Sequence, residues 1–150
     1  MSQRMSIQSV DPEAYRAVLA LEKYVNGGTV DETLLLLVKI RASQLNRCAW
    51  CLDMHLTEAR TAGIDQRKLD VIAGWNEAGD LFDETERAVL AFAEEVTLVS
   101  EHGVRDETWA ALRAHLDENQ TLTVLMAACA INVWNRMNVT ARTDLPQRDS

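Results

Sequence analysis

Apolar positions along this chain recur every three or four residues, and no stretch alternates with a period of two. That spacing lines side chains along one face of a helix, so an all-α fold of about seven helices is expected. Asp11-Pro12-Glu13 opens the first, with a capping acid and then proline in the first helical position. It runs to about Val25 and stops at Asn26-Gly27-Gly28. Thr29 and Glu32 read as a capping box for the second helix, which carries Leu34, Leu35, Leu37, Val38, Ile40 and Leu45 and ends near Asn46. A third helix is expected from about Asn46-Arg47 to Gly63 and a fourth from about Asp65 to Trp75. A fifth follows the capping pair Asp83 and Glu86, a sixth spans Asp106 to Leu116, and a seventh opens at Asp117 and Gln120 and reaches Met137. The seventh is apolar nearly all round. Such a helix is buried on every side or covered by another subunit, and a homo-oligomer is expected.

The 150 residues suffice for one hydrophobic core. Residues 1–10 read as an N-terminal extension, 11–140 as the domain and 141–150 as a polar tail. A formal net charge of -8 repels nucleic acid and anionic membranes, so neither is an expected partner. Residues 1–16 contain no apolar leader. The longest apolar stretch, Leu122 to Trp134, falls short of the roughly 20 residues that a bilayer demands. A soluble, cytoplasmic protein is expected.

The candidate chemistry lies in the cysteines. Cys129, within Met126-Ala127-Ala128-Cys129-Ala130-Ile131, reads as a small buried hydrophobe. Cys48 and Cys51 form a CxxC pair, and His55 follows four residues later. On a helix the three share one stripe. The free N–H groups of a helix start favour a thiolate at Cys48, and His55 can take the proton of Cys51. A thiolate attacks the O–O bond of a peroxide and becomes a sulfenic acid, which a second thiol converts to a disulfide. Cys51, beside the histidine, is assigned as the attacking sulfur and Cys48, at the helix mouth, as the resolving one. A zinc site takes four ligands and this motif offers three, with no second CxxC. No metal or cofactor is called for. His102 and His115 stand on polar segments and read as exposed, as does Asp53. Trp75, Trp109 and Trp134 read as core or interface residues, and Asn132 and Asn135 as buried amides that need partners.

The run Arg41-Ala42-Ser43-Gln44-Leu45-Asn46-Arg47-Cys48-Ala49-Trp50-Cys51-Leu52-Asp53-Met54-His55 resembles the carboxymuconolactone decarboxylase and alkylhydroperoxidase D superfamily, in the branch that reads RASQxNxCxxCxxxH. The likeness continues in Glu86 to Leu90, Glu94 to Thr97, and Ile131-Asn132-Val133-Trp134-Asn135-Arg136. It implies an all-α subunit assembled as a trimer or hexamer. It also implies a peroxidase with Cys51, Cys48 and His55 as catalytic residues and a dithiol reductant such as a dihydrolipoyl protein. The family's relay glutamate stands twelve residues before the first cysteine, where this chain has Leu36. Glu32, Glu86 and Glu94 are the candidate replacements, each with capping or surface charge as its plainer use. Trp50 takes the place of a histidine in the best-understood members and reads as a packing residue. Two other functions fit the superfamily or the dithiol. One is a lactone decarboxylase binding its anion with Arg41, Arg47 and Arg136. The other is a non-enzymatic oligomer that senses redox state.

Overall fold

The computed structural model describes residues 2–147. The tail expected over 141–150 therefore falls partly outside the described residues. Within them the chain is all-α, with nine helices and no strand. These are α1 (Ile7–Val10), α2 (Pro12–Asn26), α3 (Glu32–Leu45), α4 (Ala49–Thr61), α5 (Gln66–Val71), α6 (Glu84–Thr97), α7 (Val99–His102), α8 (Asp106–His115) and α9 (Glu118–Ala141). The two beyond the expected seven are α1 and α7, single turns too short to show a period.

Three caps form as the sequence suggests. The Asp11 side chain accepts the N–H groups of Glu13 and Ala14 ahead of Pro12. Asp83 with Glu86, and Asp117 with Gln120, close reciprocal capping boxes. The Thr29–Glu32 box does not form. Asp31 caps α3 instead, accepting from the Thr33 N–H at 2.8 Å. The expected fourth helix is also cut short. After Val71 the chain tightens into 3₁₀ turns over Ile72–Glu77 and Gly79–Leu81, because Gly74 leaves helical geometry and Gly79 sits at φ 58°.

The core follows from α3 and α6. Six consecutive residues of α3, Leu35 to Ile40, are buried, so neighbours enclose this helix on every side. Its Leu35 and Val38 meet Val89 and Phe92 of α6 and Val124 and Ala127 of α9 in one cluster. Leu36, Leu37 and Ile40 meet Leu90, Ala59, Leu69 and Ile72 in a second. The apolar girth of α9 is largely used within the subunit, since α9 packs on α2, α3, α4, α6 and α8. Cys129 is a correction: it is exposed, on the outward face that also carries Leu122 and Val133. No helix among the described residues is long and apolar enough to cross a membrane.

Candidate functional site: a dithiol at a helix mouth

Between α3 and α4 the chain turns sharply. Asn46 ends α3, Arg47 adopts a left-handed φ of 55°, and Cys48 is the N-cap of α4 rather than a residue of its first turn. The Cys48 sulfur accepts the backbone N–H of Cys51 at 3.4 Å, a cap made by sulfur in place of oxygen. Cys48 and Cys51 are disulfide-bonded, with Cα atoms 5.4 Å apart. Both are buried, and they pack with Ala42, Ile131, Trp50 and Trp134.

Polar side chains hold this turn in place. The Asn46 amide donates to the side-chain oxygens of Asn132 and Asn135, both at 2.9 Å. Asn135 in turn donates to the Ser43 hydroxyl at 3.0 Å, and Asn132 to the Thr97 hydroxyl at 3.0 Å. Every amide of this buried seam thus finds a partner, as the sequence demanded of Asn132 and Asn135. Arg41 donates to Glu94 at 2.6 Å, and the Trp75 indole donates to the same oxygen at 2.7 Å. The RASQxN run is therefore scaffolding that fixes where the CxxC begins.

His55 lies one turn beyond Cys51 and is buried. Its Nδ1 is 2.8 Å from an oxygen of Glu58, one turn further along α4. The hydrogen bond from His55 is the main reason the Glu58 carboxyl is held below the usual range; partial burial opposes it and the charge of Lys39 adds to it. With Glu58 as the acceptor, Nδ1 is the ring nitrogen that donates, and Nε2 is the one turned away from the carboxylate. Among the described residues that buried Nε2 has no hydrogen-bond partner. Glu58 was not among the carboxylates singled out from the sequence. Of those that were, Glu86 is taken by the α6 capping box and by Lys68 at 2.5 Å, and Glu94 by Arg41 and Trp75. Glu32 alone faces the same space as His55.

That space is a cavity of about 480 Å³. Tyr15, Trp50, Trp134, Leu36 and Met54 give it an apolar wall, and Cys51, His55, Glu58, Glu22, Glu32 and Lys39 line the rest. Lys39 is buried and donates to Glu22 at 2.7 Å. A second groove, of about 350 Å³, opens on the other side and is lined by Cys48, Arg47, Asn138 and Arg142 among others. Trp50 lines both spaces and packs against the two cysteines, which fits its reading as a packing residue. Asn138, also missed in the sequence, donates from its amide to the Cys51 sulfur at 3.6 Å. His102 and His115 are exposed and line neither of these spaces. Arg41 and Arg136 are spent on Glu94 and on Asn132.

The sequence profile of the Carboxymuconolactone decarboxylase family matches residues 12–95. The uncharacterized protein YdfG of Bacillus subtilis (strain 168) is 36% identical over 139 residues, covering 93% of this chain and 94% of its own. A crystal structure from Agrobacterium tumefaciens superposes with a TM-score of 0.94 at 35% identity, covering 98% of this chain and all of that one. That protein is of unknown function and carries the provisional description of antioxidant defence protein AhpD. An uncharacterized peroxidase-related protein of Ralstonia eutropha JMP134, with an alkylhydroperoxidase AhpD core, shares the fold at a TM-score of 0.79 and 21% identity, over 93% of this chain and 74% of that one. With the profile spanning more than half its length and a relative matching nearly all of it, this chain belongs to the carboxymuconolactone decarboxylase family and has the AhpD-like fold.

Proposed function

We propose that the protein is a thiol-dependent peroxidase that cycles Cys48 and Cys51 between dithiol and disulfide. One observation carries this reading: the bonded CxxC pair shares a cavity, through Cys51, with a buried histidine whose Nδ1 is paired with Glu58 and whose Nε2 has no hydrogen-bond partner among the described residues. Disulfide formation removes the Cys51 thiol proton that such a nitrogen would take, so an orphaned Nε2 is what the oxidised half of the cycle leaves behind.

In the reduced protein His55 Nε2 accepts the Cys51 proton. The Cys51 thiolate attacks one peroxide oxygen, the O–O bond breaks, and sulfur is oxidised to a sulfenic acid. The departing alkoxide takes the proton from the imidazolium and leaves as an alcohol. Cys48 then attacks the sulfenic sulfur, its proton and the hydroxyl leave as water, and the disulfide closes. An external dithiol returns two electrons and two protons. Glu58 supplies the carboxylate that Leu36 cannot. It does so from the histidine's own helix.

The charge of the cavity at Cys51 and His55 disfavours the lactone decarboxylase reading. It holds Glu22, Glu32 and Glu58 against one lysine, a poor host for a dicarboxylate. The antioxidant description of the Agrobacterium tumefaciens protein agrees with the peroxidase reading. We further propose that the subunit assembles as a trimer or hexamer and works in the cytoplasm, where dithiol donors are maintained. Sedimentation velocity at micromolar concentration should show no dominant monomer.

The decisive assay is consumption of an organic hydroperoxide with dihydrolipoamide as donor. The wild-type protein should consume many equivalents, and Cys48→Ser and Cys51→Ser should each lose turnover. Dimedone should trap a sulfenic acid on Cys51 in the Cys48→Ser protein. Equal turnover in all three proteins defeats the proposal, a single stoichiometric oxidation points to a sensor, and a sulfenic acid on Cys48 in Cys51→Ser reverses the assigned order.

A further inference from the structure

The two cysteines of the disulfide line different spaces. Cys51 lines the large cavity with His55, whereas Cys48 lines the second groove with Arg47, Ala49, Asn138, Arg142 and Asp144. Arg47 and Arg142 share an unusual property. They are the only non-glycine residues at positive φ among the described residues, at 55° and 52°. L side chains adopt that conformation at a cost, and here both residues line the groove that Cys48 also lines. Both arginines are exposed, and neither guanidinium is paired with an acid among the described residues. Asp144 is the one acid of the groove among the described residues. On a chain of net charge -8 this leaves a cationic rim at Cys48. Trp50, Val139 and Leu145 add apolar wall.

Each sulfur accepts one N–H, Cys48 from the Cys51 backbone at 3.4 Å and Cys51 from the Asn138 amide at 3.6 Å, so either can leave as a thiolate and access decides the side. Attack on Cys48 expels Cys51 into the cavity that His55 also lines. Attack on Cys51 would require the donor to enter the peroxide cavity, past its carboxylates.

We propose that the groove at Cys48 is the docking site of the electron donor, and that its arginines select a dithiol carried on an anionic group. This rests on the dithiol cycle proposed above. The donor thiolate attacks the Cys48 sulfur, the Cys48–Cys51 bond breaks, and Cys51 departs as a thiolate. A mixed disulfide now joins the donor to Cys48. The second donor thiolate attacks the donor's own sulfur in that bond and releases Cys48. The donor ends as a disulfide; two electrons have passed to the protein, and the two donor protons end on Cys48 and on the Cys51–His55 pair.

The test uses the oxidised full-length protein without peroxide. Anaerobic opening of the disulfide is timed by maleimide quench and mass spectrometry. Dihydrolipoate and dihydrolipoamide are compared because they carry the same dithiol and differ in a carboxylate. The wild-type protein should react faster with dihydrolipoate, by a margin that shrinks as salt is raised. In Arg47→Glu/Arg142→Glu the dihydrolipoate rate should fall about tenfold while the dihydrolipoamide rate stays within about twofold. Arg47→Asn/Arg142→Asn, with a residue better suited to left-handed backbone, should show a smaller loss of the same kind and guards against misfolding. Excess 2-mercaptoethanesulfonate, an anionic monothiol, should leave its adduct on Cys48. An unchanged ratio of the two rates overturns the proposal, as does an equal fall in both or an adduct on Cys51. A changed sedimentation state with an unchanged ratio would instead place a second copy of the chain in the groove, and overturns it too. If the charge pattern appears while the wild-type protein consumes no peroxide, the docking site stands and the peroxidase reading falls.

Discussion

At the scale of single residues, the imidazole of His55 has one polar partner among the described residues, an oxygen of Glu58 at 2.8 Å from Nδ1. In the proposed cycle an ionised Glu58 holds the proton on Nδ1 and leaves Nε2 to serve as the base. Carboxylates that orient a functional histidine in this way typically matter by about 10- to 100-fold. Glu58→Gln should therefore slow iodoacetamide alkylation of Cys51 in the reduced protein by about tenfold, with the far-ultraviolet circular dichroism unchanged. The pH dependence follows from the direction of the shift. The folded-state Glu58 pKa lies below the ordinary 4.5, so the grip on His55 is intact above that pH and weakens only as the pH falls through the lowered value. An acid limb in the wild-type alkylation profile that arises from Glu58 must accordingly lie below 4.5, and Glu58→Gln should abolish it. The pairing of Cys48 with Cys51 was legible from their spacing, although Cys48 caps the helix instead of sharing its stripe, and Cys51 and His55 lie one turn apart on α4 as a spacing of four requires. Glu58 obeys the same rule from His55, yet a glutamate on a solvent-facing turn is ordinary. Only the burial of the imidazole makes it more.

Elements meet at the dithiol through the polar seam between α3 and α9. Asn46 and Ser43 from the end of α3 share Asn135 of α9, and Asn132 ties the seam to Thr97 at the end of α6. Asn135 is fully buried, so its removal leaves the Asn46 amide short of one acceptor and Ser43 without its donor. Asn135→Ala should cost about 2 kcal/mol, the penalty for orphaned buried polar groups, read as a shift in the urea midpoint. The disulfide should also become easier to reduce, because the turn that presents Cys48 loses its anchor. Legibility at this scale was uneven. Capping boxes at Asp83 and Asp117 are local and were readable, as was the need of the two asparagines for partners. Their partners, nearly ninety residues away for Asn46, were not. The exposure of Cys129 also escaped the sequence. An apolar α9 gives no hint of which strip faces outward until α2, α3 and α6 are packed against it.

For the whole molecule, the question is how a chain so acidic holds together as protons are added. Glu95 of α6 provides one handle. It is buried and accepts from the Arg105 backbone N–H at 2.9 Å, the Thr108 hydroxyl at 2.9 Å and the Arg105 guanidinium, which joins α6 to the start of α8. Burial alone would raise its pKa; those three donors together outweigh it and hold the carboxyl below 4.5. A carboxylate whose folded pKa is depressed stabilises the fold above its unfolded pKa and loses that contribution as the pH falls through the folded value. The stabilisation by Glu95 should thus be complete near neutrality and fade below about pH 4.5. Glu95→Gln replaces an acceptor of three bonds by an amide that can satisfy fewer of them, and should lower stability at pH 7 by about 2 kcal/mol. The difference from wild type should narrow steadily from pH 4.5 downward in urea titrations. A gap that stayed constant with pH would mean that packing at the α6–α8 joint, rather than the charge of Glu95, sets the acid limit of the fold.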